Sequence, residues 1–461
     1  MFIGWSLSVK GIGQEQVLPH PWRAAAGVTL INAGVWSFNR FVTNEPFARV
    51  SGKALLRNLT GHFVWDNDKF STNMLSHPYH GSLYFTAARV NGLSFYGAVP
   101  YTLGGSLMWE WMGENEPPSV NDVLATTFGG VALGEVSVRL SDSVLDESKQ
   151  GVERFFRELA ATLLSPVTGL ERLFSGRMWR VSHKRHKPRV PVVVGVDIGV
   201  GGISAVGMKG AHQQVSPYLR FSLQYGDWYA AMKRPYDCFS LKACLSLAPT
   251  QPLITELAVE GRLWSKEWTL DSPDARGSWE LVQLFNYRHH KVAGEDNPFR
   301  YAEAAAVGTG FHWQKGSVGR QPRWSVQGLA KWVLLGGVIT EYYRVIERDY
   351  NLGSGIGLKG AFCWTPFPFL SLGVDLHATR LFTWKGYDEQ RLRRETLYVN
   401  VQGDKGHFTL WQVEPHLRLR CGKRCRLQLS GMLHTLQMHY SRFPDRVMRG
   451  GGMSVSVGYT W

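Results

Sequence analysis

The sequence has few cysteines and no long hydrophobic run. Its five cysteines are an odd number without a Cys-x-x-Cys pair, a pattern that predicts neither a zinc site nor a disulfide framework. No stretch of about 20 residues is free of polar or charged side chains, which excludes a bundle of ordinary hydrophobic transmembrane helices. The strands of a membrane β-barrel alternate in polarity instead, so a membrane location is compatible with the sequence.

Charged residues are also scarce, at 19% of 461 residues against about 25% in a typical soluble domain. Glycine and aromatic residues are plentiful, which excludes disorder and a coiled coil. The net charge of +14 predicts an anionic partner. Basic residues are spread among tryptophans and no nucleic-acid-binding motif accompanies them, so we expect lipid and lipopolysaccharide as partners rather than nucleic acid. The densest basic block, 177–189, fits either lipid headgroups or a solvated linker.

The first part of the chain has helical periodicity. Apolar residues recur three and four apart in 24–36, 81–112, 119–145 and 152–164. These patterns predict an N-terminal segment at 1–21, a helical domain at 22–175 and a basic linker at 176–190. The first ten residues contain neither the charged region nor the apolar region of a secretory signal, so export is not evident from them.

From about residue 191 the period becomes two. At the C-terminus Met453, Val455, Val457, Tyr459 and Trp461 alternate with small polar residues. Large charged residues lie on the polar face of many strands, and the apolar face ends in tryptophan or tyrosine, as in a transmembrane barrel. Short turns also alternate with long polar loops such as 264–278 and 384–406.

The pattern predicts about twelve strands, with ten or fourteen as alternatives, because the fifth to seventh are poorly patterned. They are 191–203, 214–226, 238–248, 252–264, 278–290, 300–314, 321–339, 350–364, 368–384, 407–420, 424–440 and 448–461. The predicted fold class is therefore an α+β membrane protein, with an N-terminal helical domain and a C-terminal antiparallel transmembrane β-barrel. Its inward-facing charged and histidine residues are predicted to be Asp197, Arg220, Lys242, Glu256, Glu260, Arg262, Asp375, His377, Glu414, His416, Arg418 and His434.

One segment of the helical part carries many polar and glycine positions in a characteristic order. They include Trp65–Asn73, His77–Gly81, Ala88–Gly92, Gly113–Glu114 and Gly129–Glu135. Over about residues 60–175 the chain resembles a family known as domain of unknown function 3943, found in predicted outer-membrane proteins of Gram-negative bacteria. The resemblance implies location and architecture and leaves the chemistry open. The terminal Trp461 resembles the C-terminal aromatic residue that the barrel-assembly machinery recognises, which makes that machinery an expected partner.

The helical domain holds more ionisable residues than an apolar helix cluster needs. The candidates for catalysis are His77, His80, Glu110, Asp122, Glu135 and Arg139. Glu135 and Arg139 are four apart on one helix face, where an ion pair is the simpler interpretation. A Ser/His/Asp hydrolase would use Ser119, His77 or His80, and Asp122, although Ser119 also fits a helix N-cap. Neither a metal nor a cofactor is predicted, because no HExxH, Walker A or GxGxxG motif occurs.

Three functions are compatible with this organisation. Passage or transport across the outer membrane is the first, with the helical domain as a periplasmic cap or as a plug in the lumen. The alternatives are a membrane enzyme acting on lipid or lipopolysaccharide, and a structural or assembly factor. The distances among the candidate residues distinguish an enzyme from a scaffold, because catalytic groups have to converge.

Overall fold

The computed structural model describes residues 18–66, 68–182, 190–205, 215–269, 274–291, 299–318, 321–342, 349–387 and 400–461. Most of the basic block therefore lies outside the described residues, as does most of the segment 1–21. The helices are α1 Pro21–Phe41, α2 Gly52–Thr60, α3 His77–Val90, α4 Phe95–Met108, α5 Val120–Leu124, α6 Gly130–Val144, α7 Gly151–Leu164 and α8 Pro166–Phe174. Three π-helical turns, Thr72–Ser76, Trp109–Gly113 and Ala125–Gly129, adjoin α3, α4 and α6, and a short 3₁₀ turn covers Pro46–Ala48.

Twelve strands follow, and they close into one antiparallel barrel in which each strand pairs with its sequence neighbours and β1 pairs with β12. They are β1 Val192–Ala205, β2 Ser216–Tyr225, β3 Phe239–Ser246, β4 Ile254–Thr269, β5 Ala275–His290, β6 Phe299–Val318, β7 Gln321–Ile339, β8 Tyr350–Phe367, β9 Leu370–Phe382, β10 Gly406–Cys421, β11 Cys425–Tyr440 and β12 Arg446–Thr460. The predicted fold class and strand number are confirmed. The long loop predicted at 264–278 is wrong, because β4 and β5 continue through most of it and pair as far as Thr269 and Arg276.

The two rims of the barrel differ in the length of their connections. The terminal rim, where Val192 and Thr460 lie, has short connections at 270–274, 319–320, 368–369 and 422–424 and one longer connection at 226–238. The opposite rim, which we call the loop rim, has longer ones, including 340–349 and 383–405. Bacterial barrels have short periplasmic turns and longer extracellular loops. The terminal rim is therefore the periplasmic side.

Contacts between strands that are not neighbours identify the interior. Lys242 Nζ on β3 lies 3.5 Å from Asp375 Oδ2 on β9, and Arg288 on β5 pairs with Glu414 on β10. Nearer the loop rim the interior is filled by apolar side chains, among them Phe299, Tyr301, Val338, Leu381, Phe408, Leu436 and Met438. Side chains thus fill the interior over the described strands, as a small barrel allows.

The outer wall is apolar. Along β12, Val455 and Val457 are exposed while Ser456 between them is buried, and Leu433 on β11 is exposed while His434 is buried. An apolar exterior around an interior of paired charges is the polarity of a transmembrane barrel.

The helices pack against this outer wall. Phe70 stacks on Tyr287 with ring centroids 5.5 Å apart, and Gln283 Nε2 donates a hydrogen bond to Phe128 O at 2.8 Å. Tyr287 and Gln283 alternate along β5 with the inward-facing Arg288 and Val282, so they point outward. The same buried cluster joins the helices to the outward-facing side chains of Phe285, Ala302, Ala304, Leu335, Tyr350 and Leu352.

The contacts place the helical domain on the outer wall and not in the lumen as a plug. The physical reason is that the lumen is already occupied by the barrel's own side chains, while small and aromatic residues on β5–β8 form an outer surface that helices can pack against. Phe95 and Arg139 also contact Tyr236 and Pro235 of the β2–β3 connection, which lies at the terminal rim. Residues Val120–Val144 form a helical stretch long and apolar enough to cross a membrane, but 72% of its 18-residue apolar window is buried within the protein. Its burial fits a core helix of this domain.

Candidate functional site

Three of the six candidate residues converge in the helical domain. His77 Nε2 lies 3.4 Å from Asp122 Oδ1, and the charge of His77 acts on Glu110. Glu110 and Asp122 are almost completely buried, and His77 is nine-tenths buried. We call this group, together with Asp66, Asp68 and Glu114, the acid cluster.

The acid cluster lies where the three π-helical turns meet the regular helices. One turn ends directly before His77, the second contains Glu110, and the third begins three residues after Asp122. A π-helical turn inserts an extra residue into a helix and often marks a functional site, since it redirects neighbouring side chains. Each turn here adjoins a residue of the cluster.

Hydrogen bonds hold the acid cluster in place. Glu110 Oε2 accepts from the Ser119 N–H at 2.7 Å, and Asp66 Oδ1 accepts from Asn73 Nδ2 at 2.9 Å and from Asn121 Nδ2 at 2.7 Å. Ser119 Oγ accepts from the Asp122 N–H at 3.3 Å, as expected of the N-cap of α5. Its own hydroxyl donates to Asn121 Oδ1 at 2.8 Å rather than to a histidine, which is not the arrangement of a Ser/His/Asp triad.

Sequence reasoning missed part of this cluster. The sequence indicated only the histidines and the later acids as candidates. It did not indicate Asp66 and Asp68, which belong to the cluster, or the two side chains that bond to it, Asn73 and Asn121. Three of the four lie in the Trp65–Asn73 run that carries the family resemblance. The polar residues of that run could have indicated the site, since polar residues grouped just before a helix have no role in packing an apolar core.

Burial and mutual repulsion shift the acidities in the cluster. Burial raises the pKa of Glu110 to about 8, against the opposing charge of His77 and the Ser119 N–H, with Asp66 and Asp68 adding to the rise. The pKa of Glu114 is also well above its usual range, because of burial and the charge of Glu110. Burial opposes the protonated form of His77, but Asp68 and neighbouring carboxylates raise its pKa overall. Such perturbed groups are typical of catalytic and ion-binding sites.

The cluster also has a geometry that suits a cation. Glu110, Glu114 and Asp122 each offer a carboxylate oxygen, and these atoms lie within 4.8 Å of one another. Oxygen donors at this spacing suit hard divalent ions such as Ca²⁺ or Mg²⁺. Inside the barrel, Glu260, Glu280 and His312 form a second group of this kind.

An open cavity lies beside the acid cluster, between the helical domain and the barrel wall. It has a volume of about 280 Å³ and is lined by Lys69, Phe70, Ser71, His289, Arg300 and Asp349. Tyr350 joins the two regions, because its hydroxyl donates to Asp68 O at 2.9 Å and accepts from Asn73 Nδ2 at 2.6 Å. The basic side chains in its lining would suit an anionic group, and β5, β6 and β8 place it near the loop rim.

His80 does not join the acid cluster. Its Nε2 lies 2.9 Å from the Tyr84 hydroxyl, and its ring packs edge-on against Trp109 at 5.0 Å. Burial and the nearby charge of His77 lower the pKa of His80 to about 3, so it is neutral at physiological pH. We therefore assign His80 a packing role.

Glu135 and Arg139 form a separate ion network. Glu135 Oε2 accepts from Arg89 Nε at 2.8 Å, and Glu135 Oε1 accepts from Arg139 Nε at 2.8 Å. Arg139 Nη2 also donates to Pro235 O at 2.7 Å in the β2–β3 connection. This network joins α3, α6 and the barrel, which is a scaffolding role.

The architecture defines the class of protein: it is an outer-membrane β-barrel protein with an N-terminal helical domain. Residues 62–167 match the family model described as Domain of unknown function (DUF3943). No curated protein matches the chain.

Solved structures to which the chain is similar are outer-membrane barrels. The KdgM porin has 8% identity, covering 57% of this chain and 98% of its own, with a TM-score of 0.23. The outer membrane channel DcaP of Acinetobacter baumannii has 8% identity, covering 61% and 99%, with a TM-score of 0.26. The COG4313 outer membrane channel from Pseudomonas putida F1 has 10% identity, covering 61% and 99%, with a TM-score of 0.27.

The buried ion network gives a testable prediction. Replacing Glu135 with Ala removes the carboxylate that Arg89 and Arg139 share and leaves Arg139 only its longer pair with Asp237, at 3.6 Å. Breaking a buried pair in this way costs about 3–5 kcal/mol. We expect a corresponding fall in the free energy of unfolding, measured by urea titration in detergent. The matched control is Glu153→Ala, since Glu153 also pairs with two cations, Lys149 and Arg157, but at an exposed position. Equal stability of the two variants would contradict the assignment.

Proposed function

We propose that this protein is an outer-membrane enzyme that acts on lipid or lipopolysaccharide. The observation that carries the proposal is the convergence of His77, Glu110 and Asp122 beside an open cavity on the outer wall of the barrel. A cavity on the outer wall could admit a lipid without drawing it out of the membrane, and the three groups lie behind its lining, joined to it through Asp68 and Tyr350. The barrel would then hold the helical domain in the membrane and form one side of the substrate cavity.

The residues support acid–base hydrolysis of an ester bond. In this scheme the neutral form of His77, which contacts Asp68 and Asp122, accepts a proton from a water molecule as the water oxygen attacks the carbonyl carbon. Glu110, whose pKa of about 8 keeps it mostly protonated at neutral pH, donates its proton to the leaving alcohol oxygen. The scheme therefore uses His77 in its neutral form as the base and Glu110 in its protonated form as the acid.

The cavity supports an anionic substrate. Lys69 and Arg300 contribute positive charge to its lining, and Phe70 contributes an apolar side chain. Arg300 lies over the Phe70 ring at 5.9 Å and pairs with Asp349, so its guanidinium is held at the cavity. A phosphorylated headgroup with attached acyl chains combines the two properties that this lining would bind. Because the cavity is near the loop rim, lipopolysaccharide of the outer leaflet is the substrate class we favour.

The test is to reconstitute the full chain with lipopolysaccharide and phospholipid and to follow both lipids by mass spectrometry. We expect the wild type to convert one of them and His77→Gln to be roughly 10²–10⁴-fold slower, the contribution of a general base. His62→Gln is the control, because His62 is an exposed histidine of the same domain. Lipids left unchanged by the wild type, or equal rates for the two variants, would contradict the proposal.

Passage across the membrane is a second candidate, supported by the closed barrel and the charged residues along its interior. It requires the interior to open, because Lys359 pairs with Glu260 and Arg288 pairs with Glu414 across the lumen. Conductance in planar lipid bilayers distinguishes the two candidates. The enzyme proposal predicts no steady ion current for the wild type, whereas a steady current abolished by blocking the lumen would favour passage.

A further inference from the structure

We propose that the outer faces of α1, α7 and α8 contact the acyl chains of the membrane, so that the helical domain is embedded in lipid beside the barrel. The inference concerns where this domain lies and does not depend on its chemistry. It rests on the polarity of these helices and on the surface to which the domain is attached.

The polarity of α7 is the reverse of that of a helix on a water-soluble protein. Its buried residues are Arg154, Glu158 and Ala161. Its exposed residues include Val152, Phe155, Phe156, Leu159 and Leu163, and the exposed fraction reaches 75% at Leu163. In water, charged residues are almost never fully buried while several large apolar residues of one helix remain exposed.

The buried charges of α7 are paired with one another and with neighbouring elements. Arg154 Nη2 lies 2.6 Å from Glu158 Oε1, and Arg172 on α8 donates two hydrogen bonds to the Glu158 carboxylate, at 2.8 and 2.9 Å. Arg172 Nη1 also donates to Glu147 Oε1 at 2.9 Å. Charges that cannot face hydrocarbon pair in the protein interior, which is the arrangement expected of ionisable residues at membrane depth.

The other two helices have the same exposed character. On α8, Leu170, Leu173 and Phe174 are exposed while Arg172 is buried. On α1, the exposed residues include Trp22, Leu30, Phe38 and Phe41. The three helices are neighbours, since α8 packs against α7 and Val167 of α8 packs against the cluster that contains Val28 of α1. Exposed apolar residues on three adjoining helices are more than the scattered ones of a soluble protein, and such surfaces mark contact with a membrane or another protein.

The attachment of the domain identifies lipid as the occupant. The domain covers the outer wall of β4–β8 and leaves Trp332, Ile356 and Leu358 of the same wall exposed. These three side chains belong to the apolar exterior of the barrel, which contacts hydrocarbon in a transmembrane barrel. The helical domain takes the place of lipid along this part of the wall, so the face of the domain that points away from the barrel meets the surrounding lipid. The apolar faces of the helices therefore continue the apolar surface of the barrel.

Exposed charges are compatible with this position. Lys149, Glu153 and Arg157 are grouped at the first turns of α7 and pair with one another. Side chains at a helix end can reach the membrane surface while the rest of the helix remains in the apolar region. The more distal residues of the same helix, Leu159 to Leu163, would lie deeper.

Spin labelling of the full-length protein in liposomes tests the proposal. In a background without native cysteines, labels are placed through Phe156→Cys and Leu163→Cys on α7. Val457→Cys on the outer wall of β12 is the lipid reference, and Lys423→Cys in the β10–β11 turn is the aqueous reference. Collisions with oxygen, which partitions into lipid, are compared with collisions with a water-soluble nickel chelate. Heat-modifiable migration in gels shows which variants have folded.

We expect both α7 labels to follow the lipid reference, with oxygen collisions more frequent than nickel collisions. A nickel accessibility equal to that of Lys423→Cys would place the helix in water and overturn the proposal. Protection from both reagents would mean that another protein chain covers the face, and that result would overturn it as well. Because the two labelled positions lie about two turns apart on the same helix face, a folding failure of one variant leaves the other to decide.

Discussion

Pairing of charges inside the protein is the constraint on which both halves of the chain depend. In the barrel, Lys242, Arg288 and Lys359 contact carboxylates across the lumen, which leaves the outer wall to valine, leucine, isoleucine and tryptophan. In the helical domain, the networks of Glu135 and Glu158 collect arginines from several helices. Removing either carboxylate would leave unpaired cations in a region that water does not reach. The same requirement shapes the acid cluster, where acids outnumber bases and protons or a cation must balance them.

The attachment of the helices to the outer wall connects fold and proposed function. A plug in the lumen would have separated the acid cluster from the membrane. On the outer wall, the cluster lies beside a cavity formed partly by β5 and β6. The barrel strands supply Tyr287, Tyr350 and Arg300 to that region, so neither half of the chain forms the site alone.

The barrel could be predicted from the sequence because its signal is local. Alternation in β12, as in Val455 to Trp461, depends only on neighbouring residues and on which face meets lipid. Strand ends were harder, since Trp264 and Trp268 continue β4 through a segment with the composition of a loop. The side of the wall that the helices occupy could not be predicted, because it depends on contacts such as Phe70 with Tyr350, which are 280 residues apart in the chain.

The candidate site was only partly predictable for the same reason. Ionisable residues in an apolar domain identified His77, Glu110 and Asp122, but the same rule also selected His80, Glu135 and Arg139. What separates the two sets is geometry: Glu135 meets two arginines, whereas Glu110 meets other acids and a histidine. The π-helical turns bring Glu110 to the other acids, and the positions of such turns have no distinctive sequence pattern.

Cross-linking between the helical domain and two adjacent residues of β5 tests the central claim most directly. Gln283 faces outward and contacts Phe128, whereas Val282 faces the lumen and is fully buried. In a background without native cysteines, a short bifunctional thiol reagent is applied to Phe128→Cys combined with either Gln283→Cys or Val282→Cys. Attachment to the outer wall predicts cross-linking only for the pair with Gln283→Cys. Cross-linking only for the pair with Val282→Cys would place the helices in the lumen and contradict the account.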